Sequence, residues 1–342
     1  MAEECKKGTS NRAARHRVMI KVLDILGRKS RHAIIEAKKM ILAENIESKN
    51  ARKALQYYSR NWDDTTHPGI LALACEAVGG KIEDAIPMQI VILYFTAALD
   101  LHDDIIDQSK TKNGRPTVFG KYGSNISLLL GDAMMIKGYT LMFDYSQALS
   151  TEISDTIAHA LETYFFEIGN AHLLEIDIRK TEVSPATYFA ILEKKSSIIE
   201  ANAKLGAIIG GASLEEIRNI TRFGQILGIL IALREEFIDI FEPKELQNRM
   251  KNEILPLPLL YALDQARTKD RILSIISQPK ISEQGTREIV EYVFRSKHVK
   301  ELLTHAEGLA EEALEIVRNL RETKARTNLT TIINGALEDI RQ

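Results

Sequence analysis

Residues 85–116, AIPMQIVILYFTAALDLHDDIIDQSKTKNGRP, join a long apolar run to a cluster of carboxylates. Asp103, Asp104 and Asp107 form this cluster. On a helix, Asp103 and Asp107 share a face because they lie four residues apart, and Asp104 lies about 100° round the axis. Three carboxylates this close repel one another, and the helix dipole disfavours them further if the helix ends near Gly114. Local stability is therefore a poor explanation for the cluster.

A hard cation would reverse this electrostatic problem, since Mg²⁺ binds carboxylate oxygens together with phosphate oxygens of a substrate. The simpler explanation is a solvated acidic turn that closes a helix. For a single D-D-x-x-D pattern neither explanation prevails.

A second acidic triplet has the same spacing. Residues 224–245, GQILGILIALREEFIDIFEPKE, place Glu235, Glu236 and Asp239 after another apolar helix. Alone, this triplet could be a charged helix face. Two such triplets predict facing walls of one cavity, because bundles build their sites from facing helices. An apolar cavity with carboxylates at its mouth suits a long hydrocarbon with an anionic head.

Helical periodicity extends over most of the chain. Apolar residues recur at i, i+3, i+4 and i+7, for example over residues 16–46 and 187–211, and no alternating strand runs with hairpin turns stand out. The breaks between periodic segments are short, which argues against a linker. The sequence predicts an all-α, single-domain antiparallel bundle of about ten or more helices over residues 1–342, with residues 1–15 as a flexible arm.

Composition excludes several classes of protein. The 342 residues are 45% hydrophobic and 27% charged, an ordinary balance for a globular chain. The net charge of −2 gives no basic field for nucleic acid. Cys5 and Cys75 are too few for a disulfide framework, so we expect a reducing, cytoplasmic setting. We expect neither a secretory signal nor a transmembrane segment, since no run of 18 apolar residues occurs.

Several stretches, in order, resemble the all-trans prenyl diphosphate synthases, which are class I isoprenoid enzymes. Residues 99–107 resemble the family's first acidic motif, and residues 114–135 resemble its G-x-P-T stretch with an aliphatic G-D-A run. Residues 200–213 resemble the helix after its Lys-Thr motif, and residues 256–263 the T-L-P stretch after its second acidic motif. The resemblance implies antiparallel helices around a deep apolar pocket, usually in a homodimer, with three Mg²⁺ ions and an allylic prenyl diphosphate substrate.

The resemblance also implies a set of site residues. The catalytic residues would be Asp103, Asp104, Asp107, Glu235, Glu236 and Asp239, of which Asp103, Asp107, Glu235 and Asp239 would bind Mg²⁺. The diphosphate-binding cations would be Lys112, Arg115, Lys121, Lys194, Arg234 and Lys251. The pocket residues would be Tyr94, Phe95, Ala98, Leu99 and His102. Because Ala98 is small, we expect Phe95 and Tyr94 to form the pocket floor, which suits a chain of about C20.

The chain departs from this family at the site of the second substrate, isopentenyl diphosphate. The family's basic G-G-K-R-x-R-P motif aligns with residues 62–68, WDDTTHP, which keep none of its three basic residues. Lys112 and Asn113 replace an arginine pair, and a lysine lacks the bidentate fork that suits phosphate. The lysine of the Lys-Thr motif falls on Lys194 by its spacing to Gly206.

The metal site therefore looks retained and the co-substrate site eroded. This contrast favours a one-substrate, terpene-synthase-like reaction on an allylic diphosphate. The alternative is a chain-elongating synthase of geranylgeranyl type that uses isopentenyl diphosphate. A third hypothesis is an inactive regulatory subunit. The expected assembly is a homodimer or a heteromer with a related synthase.

Overall fold

The computed structural model describes residues 2–112, 114–179, 181–264 and 266–338, with backbone alone for residues 2–17, 266 and 267. Asn113 lies outside the described residues. Within these ranges the chain forms sixteen α-helices and one two-stranded antiparallel ladder.

The helices before the second acidic triplet are α1 (Ala2–Leu42), α2 (Lys49–Asn61), α3 (Thr66–Ala77), α4 (Ile82–Ile106), α5 (Val118–Tyr122), α6 (Ser124–Ser146), α7 (Thr151–Ile178), α8 (Pro185–Lys195) and α9 (Ser197–Ile209). The remaining helices are α10 (Leu214–Asp239), α11 (Pro243–Asn252), α12 (Leu257–Leu263), α13 (Ala266–Ile276), α14 (Glu283–Arg295), α15 (Lys297–Arg318) and α16 (Lys324–Glu338). The ladder pairs β1 (Thr111–Lys112) with β2 (Arg115–Pro116).

Helix α4 lies inside the bundle because it is apolar on nearly every face. It packs against α1, α3 and α6. Two glycines of α6 allow the close approach: a Cβ on Gly131 would overlap the ring of His102, and a Cβ on Gly138 would overlap the ring of Phe95. This packing fixes the direction in which α4 carries its acidic end.

Helix α10 begins with a capping box, in which Ser213 and Glu216 each bond the other's backbone N–H. Its apolar side packs against α9 and α15 in the largest core cluster. The helix ends at Asp239, so the second acidic triplet occupies its last turn.

The prediction of an all-α fold is confirmed. The helix that carries the first triplet ends at Ile106, eight residues before Gly114, and the short ladder follows it. All three carboxylates therefore lie at the negative end of the helix dipole. The single domain and the flexible arm over residues 1–15 remain predictions.

Among the described residues two helices, α4 and α6, are long and apolar enough to cross a membrane by length and composition alone, and the expectation of no transmembrane segment stays a prediction. In α4, 61% of the most apolar window is buried inside the fold, as in the core helix of a compact domain. In α6 the figure is 33%, and Leu129, Ile136 and Phe143 form an exposed stripe at intervals of seven residues.

Candidate active site

The first acidic triplet closes α4. Asp107 caps the helix, and its N–H donates to the carbonyl of Asp103 at 2.8 Å. Asp103 and Asp107 turn toward α7, where His172 Nδ1 lies 3.4 Å from Asp103 Oδ1 and Arg179 donates to Asp107. These two aspartates share a face, as their spacing predicts.

Burial raises the pKa of all three aspartates. It raises the pKa of Asp104 to about 7, and the neighbouring charge of Asp100 adds to the rise. Burial also raises the pKa of Asp103 against the opposing charge of Lys195, and that of Asp107 with a further contribution from Asp103. A bound divalent cation would favour the ionised forms.

The second acidic triplet is held mainly by one arginine, Arg249 of α11. Its Nη2 donates to Glu236 Oε1 at 2.8 Å, and its Nη1 donates to Asp239 Oδ2 at 2.5 Å. The other oxygen of Glu236 accepts the N–H of Leu257 at 2.6 Å. Glu236 is thus a buried structural carboxylate, whereas Glu235 is largely exposed and bonds Arg234.

The two triplets belong to one charged network at the same end of the bundle. The charges of both triplets act on the carboxyl group of Glu245 on α11. Burial raises the pKa of Glu245, and the negative charges of Asp239 and Asp107 raise it further. Between the triplets, Lys195 Nζ donates to the buried Glu175 at 2.5 Å, and Arg179 lies 3.8 Å from Glu175. The triplets therefore lie within electrostatic range of one another.

The donors of the first triplet fit a magnesium ion. Asp103 Oδ1 is buried without a hydrogen-bond partner, so it is a carboxylate oxygen available to a cation. Within the ranges that the structure describes, no group of three or more His, Cys, Asp or Glu side chains could hold a metal ion alone. Diphosphate oxygens would have to complete the coordination, which is how Mg²⁺ usually binds to nucleotide and diphosphate enzymes.

Lys112 is a predicted cation whose positive charge acts on the first triplet, where it opposes the effect of burial on the pKa of Asp103 and Asp104. It donates to Asp100 at 2.6 Å, and the charges of Asp100 and Asp104 outweigh burial and raise its pKa. Arg115 bonds the side chain of Asn61 at 3.0 Å. Lys121 lies 4.0 Å from the ring centroid of Tyr57, and Lys251 is exposed.

The structure turns Lys195, and not its neighbour Lys194, toward the acidic residues. Lys194 lies on the outside of α8 and bonds Glu167 at 3.1 Å. Burial alone would lower the pKa of Lys195, but the charges of Glu175 and Asp103 raise it above its usual value. Lys195 is therefore a permanent positive charge beside the first triplet.

Sequence reasoning also missed Glu175, Arg179 and Arg249. Their partners lie on other helices or at helix ends, as Lys195 does for Glu175 and Asp107 for Arg179, and no motif in the sequence marks them. An isolated charge on an otherwise apolar helix face was the available signal, and Glu175 of α7 fits that description.

The predicted pocket residues divide between two faces of α4. The ring of Phe95 meets Phe165 and Tyr139, with centroids 4.8 Å and 5.0 Å away, so three aromatic rings form a cluster about two helical turns before Asp103. Tyr94 instead bonds the carbonyl of Ala37 at 2.8 Å, away from Phe95.

The remaining predicted pocket residues also differ in direction. Ala98 is fully buried in the cluster that contains Tyr94 and Met134, and His102 lies 3.3 Å from Asp132 of α6. Leu99 is half-buried. Of the five residues, Phe95 is thus the one in this aromatic cluster, and Tyr94 and Ala98 pack in a different cluster; the pocket roles of all five stay predictions.

A cleft of about 300 Å³ opens beside the first triplet, on the Asp104 side of α4. Its walls come from the end of α2, the start of α3, α4 and the β1–β2 ladder, and they include most of the WDDTTHP stretch. Within this cleft Asp64 Oδ2 lies 2.9 Å from His67 Nδ1 and accepts Thr96 Oγ1–H at 2.8 Å. The stretch that aligns with the family's basic motif thus forms an Asp–His–Thr cluster.

The fold and the two acidic helix ends place this chain among the class I isoprenoid enzymes. It superimposes on the crystal structure of geranylgeranyl pyrophosphate synthetase from Pyrococcus horikoshii with a TM-score of 0.80, covering 95% of this chain and 99% of that one at 20% identity. At this identity the likeness establishes the fold alone.

The polyprenyl synthetase family model matches residues 48–293, and the chain belongs to this family. It is 24% identical over 285 residues to a geranylgeranyl diphosphate synthase of Methanosarcina mazei, covering 82% of this chain and 87% of the relative. It is 25% identical over 277 residues to a heterodimeric geranylgeranyl pyrophosphate synthase large subunit of Arabidopsis thaliana, covering 75% and 71%.

Proposed function

We propose that this protein is a Mg²⁺-dependent prenyltransferase of isoprenoid biosynthesis. It ionises an allylic prenyl diphosphate of about C20 class and joins the prenyl group to a second molecule. The alternative drawn from the sequence is the chain-elongating form of this reaction, a synthase of geranylgeranyl type in which the second molecule is isopentenyl diphosphate. Family membership and the names of the relatives support it over the one-substrate, terpene-synthase-like reaction.

The convergence of the two acidic triplets carries the proposal. Burial raises the pKa of Glu245 and the charges of Asp239 and Asp107 raise it further, which supports a single site at the ends of α4 and α10. Aromatic rings lie about two helical turns below Asp103, in line with a hydrocarbon that enters from the acidic end.

In this proposal, Asp103, Asp107 and Glu235 hold the metal–diphosphate complex, with Asp239 held beside them by Arg249. Bound Mg²⁺ would supply electrostatic assistance to departure of the diphosphate. Lys195 and Lys112 place fixed positive charge beside the position where negative charge develops. Phe95, with Phe165 and Tyr139, bounds the hydrocarbon and limits its length.

Diphosphate release is the direct assay. Geranyl, farnesyl and geranylgeranyl diphosphates are each incubated with Mg²⁺, with and without isopentenyl diphosphate, and the products are analysed as volatiles and after phosphatase treatment. We expect release from at least one substrate, and we expect Asp103→Asn to abolish it. Asp155→Asn, an exposed aspartate of α7, is the control and should keep full activity. Equal activity in both variants would contradict the assignment of the first triplet.

The one-substrate reaction remains a second candidate because of the cleft. Asp63 and Asp64 put negative charge where the family motif has cations. Diphosphate release at the same rate without any second substrate, with a cyclic or dehydrated product, would favour this candidate.

We further propose a homodimer in the cytoplasm. Besides the exposed stripe on α6, Phe166 and Leu173 of α7 are exposed. Large exposed apolar patches mark protein interfaces, so we propose these two helices as the dimer face. Sedimentation should give twice the chain mass, and Ile136→Arg should shift the protein toward monomer.

The hypothesis of a regulatory subunit predicts a different outcome. The protein would then be inactive alone and would form a stable heteromer with a related synthase, as the name of the Arabidopsis relative describes for that protein. Turnover by the isolated chain would exclude it.

A further inference from the structure

The cleft beside the first triplet has its own polar groups, which the metal site does not use. Its walls include the rings of Tyr57, Tyr58 and Trp62. The indole of Trp62 is only 4% exposed, and its Nε1–H is buried without an acceptor. A buried donor without a partner in the wall of a cavity points to a ligand or water that accepts from it.

The charge of the cleft is unsuited to an anion. Four carboxyl groups line it, those of Asp63, Asp64, Asp100 and Asp104, against the cations Lys112 and Arg115 and the ring of His67, which pairs with Asp64. Lys112 is already paired with Asp100, and Arg115 is bonded to Asn61. A second diphosphate would enter among these carboxylates without a cluster of free cations, and each missing charge-assisted hydrogen bond weakens its binding.

An oriented histidine faces the same cleft. Asp64 accepts from the Nδ1 side of His67 at 2.9 Å and is itself fixed by Thr96 and by the backbone N–H groups of Thr66 and His67. Burial lowers the pKa of His67, but the charge of Asp64 outweighs it and raises the pKa, so the ring holds a proton strongly once it has accepted one. In its neutral form, with the proton on Nδ1, the ring presents a lone pair at Nε2, which makes no hydrogen bond to the described residues. An imidazole held by a carboxylate is the usual arrangement of a general base.

We propose that this cleft binds an acceptor without negative charge, an alcohol or an amine, in place of a second diphosphate. The bond between C1 and oxygen of the allylic donor breaks, and its electron pair leaves with the diphosphate. The acceptor's oxygen or nitrogen forms the new bond to C1, and its proton passes to Nε2 of His67. The products are a prenyl ether or prenyl amine, diphosphate and the protonated histidine.

This inference rests on the proposed function for the donor half of the reaction and names the class of the second substrate. It accounts for a two-substrate fold whose second site has lost the basic motif. It also gives roles to His67 and Asp64, which have none in metal-assisted ionisation.

The test uses three probes with the same five-carbon skeleton: isopentenyl diphosphate, isopentenol and isopentenyl amine. Trp62 is the only tryptophan of the chain, so its fluorescence reports occupancy of the cleft directly. Titrations are done with Mg²⁺ and inorganic diphosphate present, so that the donor site is filled. We expect saturable binding of the alcohol and the amine, with isopentenyl diphosphate at least tenfold weaker.

Isopentenyl diphosphate that binds as tightly as the alcohol, or more tightly, would overturn the inference. The titration needs no turnover, so it stays informative if no donor is ionised, and absence of diphosphate release would count against the proposed function alone. With an active donor, mass spectrometry should detect the prenylated alcohol or amine. Release without either product would also overturn the inference.

Variants of the dyad sharpen the test. His67→Gln should keep binding of the alcohol within about threefold and lose transfer to it by at least tenfold, because the ring acts as the base. The double variant Asp64→Lys with His67→Arg should tighten isopentenyl diphosphate at least tenfold. If circular dichroism shows that it is unfolded, Asp63→Lys is used, since Asp63 lies outside the dyad. Asp155→Lys, at a position outside the lining of the cleft, is the charge control, and equal tightening in that variant would contradict the inference.

Discussion

Replacing Arg249 by methionine tests whether a buried internal cation holds the second acidic triplet. The guanidinium donates to Glu236, Asp239, Tyr188 and the carbonyl of Ile254 at 2.5–2.8 Å. Methionine fills similar space without any of these donors, so the carboxylate of Glu236 would stay charged and buried, keeping the hydroxyl of Tyr188 and the N–H of Leu257 as its donors.

Removing one member of a buried ion pair costs about 3–5 kcal/mol. The unfolding entropy of about 2.1 cal/mol/K per residue gives about 0.7 kcal/mol/K for a chain of this length, so the thermal midpoint should fall by about 4–7 °C. The control is Arg318→Met, because Arg318 forms an exposed pair with Glu315 on α15. A surface pair of this kind is worth less than about 1 kcal/mol.

Urea denaturation followed by circular dichroism measures the free energy of unfolding for each variant. A double-mutant cycle adds Glu236→Gln, which removes the stranded charge. We expect the double variant to be more stable than the two single losses predict, by about 1–3 kcal/mol. Equal losses for Arg249→Met and Arg318→Met, or strict additivity in the cycle, would refute the argument that Arg249 neutralises Glu236.

Three further predictions follow from the site. Lys195→Ala should lower kcat/KM for diphosphate release about 10- to 100-fold through loss of a charge-assisted contact, and Lys194→Ala should stay within about threefold; steady-state kinetics would contradict this if the two lysines behaved alike. Burial raises the pKa of Asp104 in the folded protein to about 7, so the folded protein binds this proton more tightly than the unfolded chain. In EDTA, the free energy of unfolding should therefore fall as the pH rises toward 7 and then level off. Asp104→Asn should remove this pH-dependent component, and an unchanged pH profile in that variant would count against the prediction. Phe95→Ala should lengthen the accepted prenyl chain in product analysis, whereas Phe223→Ala, a buried phenylalanine of another cluster, should lower stability and leave chain length unchanged.

The fold could be predicted from the sequence because helical periodicity is a local property. Each apolar stripe recurs within a few turns of its own helix, and the two triplets could be placed at helix ends by the apolar runs before them. The exact end of α4 could not. The chain leaves the helix after Ile106 and forms a ladder of two residues on each side of the turn, which is too short to give a strand pattern.

The direction of side chains on α4 was harder to predict than the helix itself. Tyr94 and Phe95 are adjacent and therefore lie about 100° apart, so they cannot share a wall of one pocket. The contact between Phe95 and Gly138 settles which of them faces α6, and this contact depends on residues more than forty positions away. Ala98 follows the direction of Tyr94, so a larger side chain at Ala98 would overpack the cluster around Met134.

The lysine beside the first triplet illustrates where motif spacing reaches its limit. Counting back from Gly206 selects Lys194, as if one rigid helix joined the two positions. The chain instead breaks at Ser196, which ends α8 and precedes α9. A break of one residue changes both the rotation and the direction of the preceding helix. Counting residues back from Gly206 therefore gives the right position along the chain but does not say which lysine side chain faces the acidic residues. Glu175 on α7 decides between Lys194 and Lys195. Its carboxylate is only 2% exposed and therefore requires a cation, and Lys195 is the lysine that reaches it. The charge that serves the first triplet is therefore selected by the need to neutralise Glu175, a constraint between helices α7 and α8 that no spacing within one motif contains.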